Sequence, residues 1–193
     1  MQQQLQPPGS GLPDFERLVL KYLVIPSVRT FVTWNMGLWL LQREINIITK
    51  LVSGLDESER TRQVVIDRTL AIEDDSRRYS VNMVLEHLSI VATAEIPLIT
   101  LLSNEKPFER ELTIVGVKPH ANEAGQLDAF LQITGKYVDF IKELPKKQSR
   151  TTKRHPWFLE FNNFDWHVFT YMHTFIHRRQ IQAIIKQLGG SYE

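Results

Sequence analysis

Two histidines, His173 and His177, lie four positions apart in the segment from Phe164 to Ile185. The segment has the periodicity of an amphipathic helix, and both histidines fall on its apolar side. Two neutral imidazoles one helical turn apart can point at the same place, which makes them half of a transition-metal site. An unpaired polar ring facing the protein interior is costly, so we expect both rings to have a binding partner.

A third candidate ligand, His87, lies in the run SVNMVLEHLSIVATA. At about 100° per residue, its face of a helix is apolar apart from Ser80 and the histidine itself. Helical bundles build metal sites by pointing ligands inward from facing helices. The sequence therefore predicts a site for a divalent transition metal on His87, His173 and His177. The alternative interpretation is that these are hydrogen-bonded core histidines.

Three further residues are candidates for the surroundings of this site. Gln180, one turn after His177, either orients an imidazole or hydrogen-bonds another partner group. Trp166 lies on the same stripe, either as a pocket wall or as a core aromatic residue, and Ser80 is the third pocket candidate. The remaining histidines are predicted to lie outside the metal site: His120, His155 and His167.

Composition restricts the class of protein. The chain has 193 residues, 42% of them hydrophobic, and a net charge of +1, so it has no general attraction to nucleic acid or to an anionic membrane. It has no cysteine, which excludes disulfides, thiolate ligands and a catalytic thiol. No secretory signal and no uninterrupted apolar run of about 20 residues are present, so we expect a soluble, cytoplasmic protein without a membrane partner.

The 3.6-residue periodicity predicts an all-α fold, a four-helix bundle with one long crossover connection. The first helix begins at Asp14, breaks or kinks at Pro26 and continues over 27–52. The second covers 79–102, the third 123–144, and the histidine segment is the fourth. The crossover, 104–122, contains a β-like run at 112–117. Residues 1–13 are expected to form a flexible tail, and residues 14–193 a single domain. Apolar residues on several sides of the first helix favour a homodimer.

Local motifs resemble one protein family. HTFIHRRQI resembles the HxxxHRxQ signature that closes the last helix of the DinB/YfiT-like superfamily, and IEDDSRRYSVNMVLEHL resembles its second-helix segment. The resemblance includes VKP at 117–119 and HPWF before a Trp-led helix, and covers roughly residues 72–188. It implies a four-helix bundle and a zinc, nickel or iron site with His87, His173 and His177 as ligands. Arg179 departs from the glycine found in many relatives.

The resemblance also implies a function. Activities in this superfamily include thiol-dependent S-transfer and isomerisation, so the leading expectation is an S-transferase in which the metal activates a low-molecular-weight thiol towards a small-molecule substrate. The alternatives are a hydrolase that uses metal-bound hydroxide and a non-catalytic bundle that binds a metal or a ligand. The residue after His173 is Thr174, so the HExxH motif of zinc peptidases is absent.

Overall fold

The computed structural model describes residues 4–189, and helices account for most of them. The predicted all-α class is therefore confirmed. The helices are α1 (Asp14–Val19), α2 (Ile25–Phe31), α3 (Trp34–Ser53), α4 (Glu57–Thr61), α5 (Val81–Ser103), α6 (Gln126–Glu143) and α7 (Asn163–Gln187). A π-helical segment, Leu20–Val24, joins α1 to α2, and 3-10 turns cover Asp75–Arg78 and Val115–Val117. Two short antiparallel strands, β1 (Lys153–Arg154) and β2 (Glu160–Phe161), pair with Lys153 opposite Phe161.

The four long helices surround one hydrophobic core. Helix α3 packs against α6 and α7, and helix α5 packs against the same two, so each long helix has two long neighbours. Their apolar faces meet in the interior, because burying such a stripe is the main source of stability for a helix in a folded protein. Large apolar side chains that are fully buried on these helices include Leu41, Ile48, Leu85, Leu98, Ile99, Leu102, Phe130, Tyr137, Ile141, Ile181 and Ile184.

Side-chain caps fix where the two histidine-bearing helices begin. The hydroxyl of Ser80 accepts a hydrogen bond from the Met83 backbone N–H at the start of α5. At the start of α7, Asn162 and Asp165 form a reciprocal capping box, each side chain accepting from the backbone N–H of the other. These caps satisfy N–H groups that a helix cannot pair internally.

Pro26 does not break the helix, and of the two expectations for this proline only a local distortion agrees with the π-helical segment just before it. Pro26 lies in the first turn of α2, where its missing N–H leaves no partner unsatisfied. The π-helical segment immediately before it takes up the change in helix register. The helix ends instead at Phe31, and α3 starts anew after Thr33, whose side chain accepts a hydrogen bond from the Met36 N–H.

The β-like run at 112–117, which was predicted to lie in a connection between helices, forms no strand. Residues 112–117 form a loop and a 3-10 turn, and among residues 4–189 the strands are those around the HPWF turn. A β-like pattern becomes a strand only when a neighbouring strand supplies its hydrogen bonds. No such strand lies beside 112–117 in the described part of the chain, whereas β1 and β2 find each other across a short loop.

The segment before α1 has no helix or strand but makes specific contacts. The Gln6 N–H donates to Asp74 Oδ2 at 2.8 Å, the Gly11 N–H donates to Glu73 Oε1 at 3.0 Å, and Leu12 is buried. These contacts concern residues 4–13 of the predicted tail. Residues 1–3 of that tail, and residues 190–193 of the predicted domain, lie outside the described residues.

Helix α5 is long and apolar enough to cross a membrane by length and composition. However, more than half of its most apolar window is buried inside the protein, and this window includes the buried Glu95. Such burial is typical of a core helix in a soluble protein, because the apolar surface is already covered by other helices.

Candidate metal centre

Three histidines from two helices converge on one point. His87 comes from α5, and His173 and His177 come from successive turns of α7. The Nε2 atom of His173 lies 3.1 Å from the Nε2 atoms of both His87 and His177. Tetrahedral ligands about 2.0–2.1 Å from a zinc ion would be about 3.3 Å apart, so this spacing fits a metal ion. The three histidines predicted from sequence are therefore close enough to bind one.

Hydrogen bonds behind two of the rings determine which nitrogen faces the centre. His87 Nδ1 lies 2.6 Å from the Val117 carbonyl oxygen, which can only accept, so Nδ1 carries the proton. His177 Nδ1 donates to Gln180 Oε1 at 2.7 Å, and Gln180 Nε2 donates to the Ser76 carbonyl oxygen at 2.7 Å. The Nε2 atoms of His87 and His177 are consequently lone-pair acceptors, as metal ligands must be.

The centre is short of hydrogen-bond donors. Two lone pairs, from His87 and His177, both point at His173 Nε2, which carries at most one hydrogen. At least one of these nitrogens is therefore left without a donor inside the protein, which is costly for a buried polar atom. A metal ion would satisfy all three lone pairs at once. This is the feature that separates a ligand set from hydrogen-bonded core histidines.

The protonation states suit metal binding. Burial lowers the pKa of His87 to about 4, in spite of the hydrogen bond to Val117 that favours its charged form. Burial, together with the neighbouring imidazoles, holds the pKa values of His173 and His177 well below the usual range. All three rings are therefore neutral at pH 7, and no proton has to be removed before a metal binds.

A cavity of about 660 Å³ opens beside the three histidines. His87 and His177 are buried, whereas His173 is partly exposed, and all three belong to the cavity wall. Most of the other lining residues are apolar or aromatic. The predicted Trp166 is buried and contributes to this wall, so it is both a core residue and a pocket residue.

The other predicted residues have separate places. Gln180 is fully buried and binds His177, as one of its two interpretations required. Ser80 caps α5, shares a hydrogen bond with the Asn122 side chain and does not line the cavity. His167 Nε2 donates to the Trp34 carbonyl oxygen at 3.1 Å, away from the centre. His120 is exposed.

Three groups at or near the candidate site were not predicted from the sequence: the carbonyls of Val117 and Ser76, and the side chain of Glu95. The Val117 and Ser76 contacts use backbone carbonyls, for which the side-chain sequence carries no signal. The sequence did contain an indication for Glu95, because it is the only acidic residue in the apolar run from Ile90 to Leu102. It lines the cavity and is buried, and burial raises its pKa to about 8. Its Oε2 lies 2.6 Å from the Thr170 hydroxyl.

Comparisons with protein-family models, with curated proteins and with solved structures found no match. The resemblance to the DinB/YfiT-like superfamily therefore stays a prediction that depends on the local motifs.

Proposed function

We propose that the protein is a cytoplasmic, metal-dependent enzyme of the DinB/YfiT-like type, a four-helix bundle that joins a low-molecular-weight thiol, through its sulfur, to a second substrate. The observation that carries this proposal is the set of three neutral imidazoles, short of donors, at the wall of a large cavity. Zinc, nickel and iron are the candidate metals because all three accept imidazole ligands.

The ligand set favours a reactive centre over a structural one. Structural zinc sites are closed by four protein ligands, whereas catalytic sites use three and leave a position for substrate. Within the described residues, the metal-binding cluster of histidine and acidic side chains consists of His87, His173 and His177 alone. The fourth position would face the cavity, on which His173 is partly exposed.

The chain's own residues support thiol chemistry in two ways. A metal on uncharged imidazoles keeps its Lewis acidity and, when bound, would lower the pKa of a thiol that reaches it. The chain has no cysteine, so the sulfur has to come from a cosubstrate. Val117 and Gln180 hold the rings of His87 and His177 in the ligating tautomer, and the Phe169 ring stacks on His173 at a centroid distance of 5.5 Å.

Metal content is the first test. Untagged wild-type protein, His173→Ala and the exposed-site control His120→Ala would be purified together and analysed for transition metals. We expect about one equivalent in the wild type and the control, and none in His173→Ala. Metal-free wild-type protein that also fails to bind added Zn²⁺ and Ni²⁺ would refute the proposal.

The reaction type requires a second test. Metal-loaded protein would be assayed with glutathione and 1-chloro-2,4-dinitrobenzene, in which a carbon–sulfur bond forms and chloride leaves. Product formation that requires both the thiol and His173 supports S-transfer. Hydrolysis of an activated ester without any thiol, lost in His173→Ala, would instead favour the hydrolase, and metal binding without turnover in either assay would favour a non-catalytic protein.

A further inference from the structure

An aromatic surface continues outward from the metal centre along the cavity. The Phe169 ring, which stacks on His173, lies 4.6 Å by centroid from His155, and His155 stacks on Phe158 at 4.6 Å. Trp157 meets Phe158 edge-on at 6.4 Å. We call His155, Trp157, Phe158 and Phe169 the aromatic wall, and all four line the cavity.

Three members of the aromatic wall are held in a closed loop between β1 and β2. The His155 N–H donates to the Leu159 carbonyl at 3.0 Å, and the Phe158 N–H donates to the His155 carbonyl at 3.3 Å. The Trp157 N–H donates to His155 Nδ1 at 3.2 Å. Such a loop presents its rings in a preformed arrangement, which reduces the entropy lost when a ligand binds.

Part of this aromatic surface is free to bind. Trp157 and Phe169 are only partly buried, although both line the cavity. Helix α5 contributes Ile90 and Ala94 to the cavity, and these residues follow His87 by one and two turns. They are partly buried as well. A ligand in the cavity would therefore lie between α5 and the aromatic wall, beside the histidines.

Most charged residues of the cavity are already paired. The Lys118 ammonium forms an ion pair with Glu73, and this pair accounts for one positive and one negative group. The Glu86 carboxylate accepts hydrogen bonds from the backbone N–H groups of His120 at 2.9 Å and Ala121 at 3.1 Å. None of these groups needs a charged ligand.

Apart from its histidines, the other ionisable residues of the cavity, Glu95, Arg110 and Glu111, add no net charge at pH 7. Glu95 is buried against the Thr170 hydroxyl, and its raised pKa of about 8 keeps it uncharged at pH 7. Arg110 and Glu111 are adjacent, exposed and of opposite sign, so they contribute no net charge. A charged ligand buried beside the histidines would therefore lose its hydration, because the ion pair in the cavity is already formed and Arg110 and Glu111 lie exposed to solvent.

We propose that this cavity binds an uncharged small molecule with an aromatic ring, which packs on the aromatic wall next to the three histidines. If the proposed function holds, this molecule is the substrate that receives the sulfur. The cavity volume of about 660 Å³ lies within the range of small-molecule sites. Aromatic rings favour stacked and edge-on contacts with such a wall over contacts with aliphatic side chains alone.

Two matched dyes test the charge requirement. N-phenyl-1-naphthylamine is uncharged, and 8-anilinonaphthalene-1-sulfonate is the same ring system with one sulfonate. Fluorescence titration of full-length protein should give one site for the uncharged dye, with a Kd at least tenfold lower than that of the sulfonate. Equal affinity for the two dyes, or no saturable binding of the uncharged dye, would overturn the proposal.

Variants locate the site. Ala94→Trp fills the cavity from α5, and Trp157→Ala shortens the aromatic wall at a partly buried position of the loop between β1 and β2. Each should weaken binding of the uncharged dye about tenfold or more. The control is Ala129→Trp, at a partly buried position of α6 that does not line the cavity. Unchanged affinity in both Ala94→Trp and Trp157→Ala would show that the dye binds elsewhere and would refute the proposal.

The dye experiment is independent of metal and turnover. Metal-free wild-type protein prepared with a chelator should still bind the uncharged dye within about threefold of the untreated protein. Dye binding at the predicted site in wild-type protein that is purified without metal and binds no added Zn²⁺ or Ni²⁺ would refute the proposed function and leave this inference intact. Thiol transfer by a protein whose cavity binds the sulfonate dye more tightly than the uncharged dye would support the proposed function and refute this inference.

Discussion

At the residue scale, the candidate metal centre depends on groups that are not themselves candidate ligands. Gln180 joins His177 to the Ser76 carbonyl, and because a carbonyl only accepts, the amide nitrogen must face Ser76 and the amide oxygen must face His177. This order places the proton on His177 Nδ1. The Val117 carbonyl does the same for His87. Residues that hydrogen-bond to a metal-ligating histidine orient its ring, and replacing them commonly lowers metal affinity.

We expect Gln180→Ala to weaken Zn²⁺ binding about 10- to 100-fold, because His177 loses the acceptor that fixes its tautomer. The measurement is competition with a chromophoric chelator on untagged protein. Gln187→Ala is the control, since Gln187 is an exposed glutamine on the same helix. Equal Zn²⁺ affinity in the wild type and Gln180→Ala would contradict the role given to this hydrogen bond.

Glu95 makes stability depend on pH. Burial raises its pKa from 4.5 to about 8, so between these values the folded protein binds one proton more than the unfolded chain. The free energy of unfolding contributed by this group is therefore largest at low pH and falls as pH rises, by at most about 1.4 kcal/mol per pH unit. In Glu95→Gln this dependence disappears, so the variant should gain stability relative to the wild type from pH 5 to pH 8.

Urea unfolding of wild type and Glu95→Gln at several pH values checks this prediction. The difference between the two proteins isolates Glu95 from buried His155 and His167, whose pKa values are lowered by burial to about 3 and about 4 and which destabilise the fold as pH falls below 6.5. The exposed Glu111→Gln serves as control. A difference that stays constant with pH would mean that Glu95 is ionised in the folded protein.

At the scale of elements, the rotation of α7 decides where its histidines point. Arg178, next to His177, pairs with the fully buried Glu44 of α3 at 2.5 Å, and the Arg178 guanidinium lies over the Phe175 ring. At the start of the helix, Arg29 of α2 pairs with Asp165 at 2.8 Å. The two contacts attach α7 at separate points along its length, and together they hold its histidine face towards α5.

Removal of the Arg178 charge should therefore be costly. Arg178→Met leaves the buried Glu44 carboxylate with only Arg43, which is half exposed, so we expect a loss of about 2–3 kcal/mol in the free energy of unfolding. Arg179→Met is a closely matched control, because the next residue of the same helix is exposed. Urea unfolding of both variants measures the difference. Equal stabilities would show that the ion pair contributes nothing.

At the scale of the whole molecule, apolar side chains remain exposed on the first helices. Phe15 is 77% exposed and Phe31 75% exposed, while Trp39 of α3 is 61% and Met36 44% exposed. Trp34 and Leu38 of the same helix are buried in the core. The expected homodimer stays a prediction. Because Trp34 and Leu38 are buried in the core, it depends on the exposed apolar residues of this region alone. Aromatic side chains are enriched at protein–protein interfaces, and contiguous exposed apolar patches often mark them.

We expect the protein to sediment as a dimer at micromolar concentration and Trp39→Glu to shift it towards the monomer, because a charge at a buried interface loses its hydration. Leu70→Glu is the control, at an exposed apolar position outside the long helices. Analytical ultracentrifugation compares the three proteins. A wild type that is monomeric at this concentration would refute the dimer.

Local interactions explain which features were predictable. The spacing of His173 and His177, the apolar faces of the long helices and the approximate ends of α5 and α7 depend on residues within a few turns of each other, so periodicity and composition contain them. Pairing His87 with the α7 histidines needed the further rule that bundle helices direct inward-facing polar residues at one another. These features could be predicted from the residue types and their spacing along the sequence.

Contacts between distant segments determined the remainder. The Val117 carbonyl reaches His87, and the Ser76 carbonyl reaches Gln180, only because the segment between α5 and α6 and the turn before α5 fold back on the long helices. Any residue type offers such a carbonyl. The cavity, the protonation of Glu95 and the end of α2 at Phe31 likewise depend on which surfaces meet. Burial and long-range packing are properties of the whole arrangement in space, so they enter only when the chain has folded.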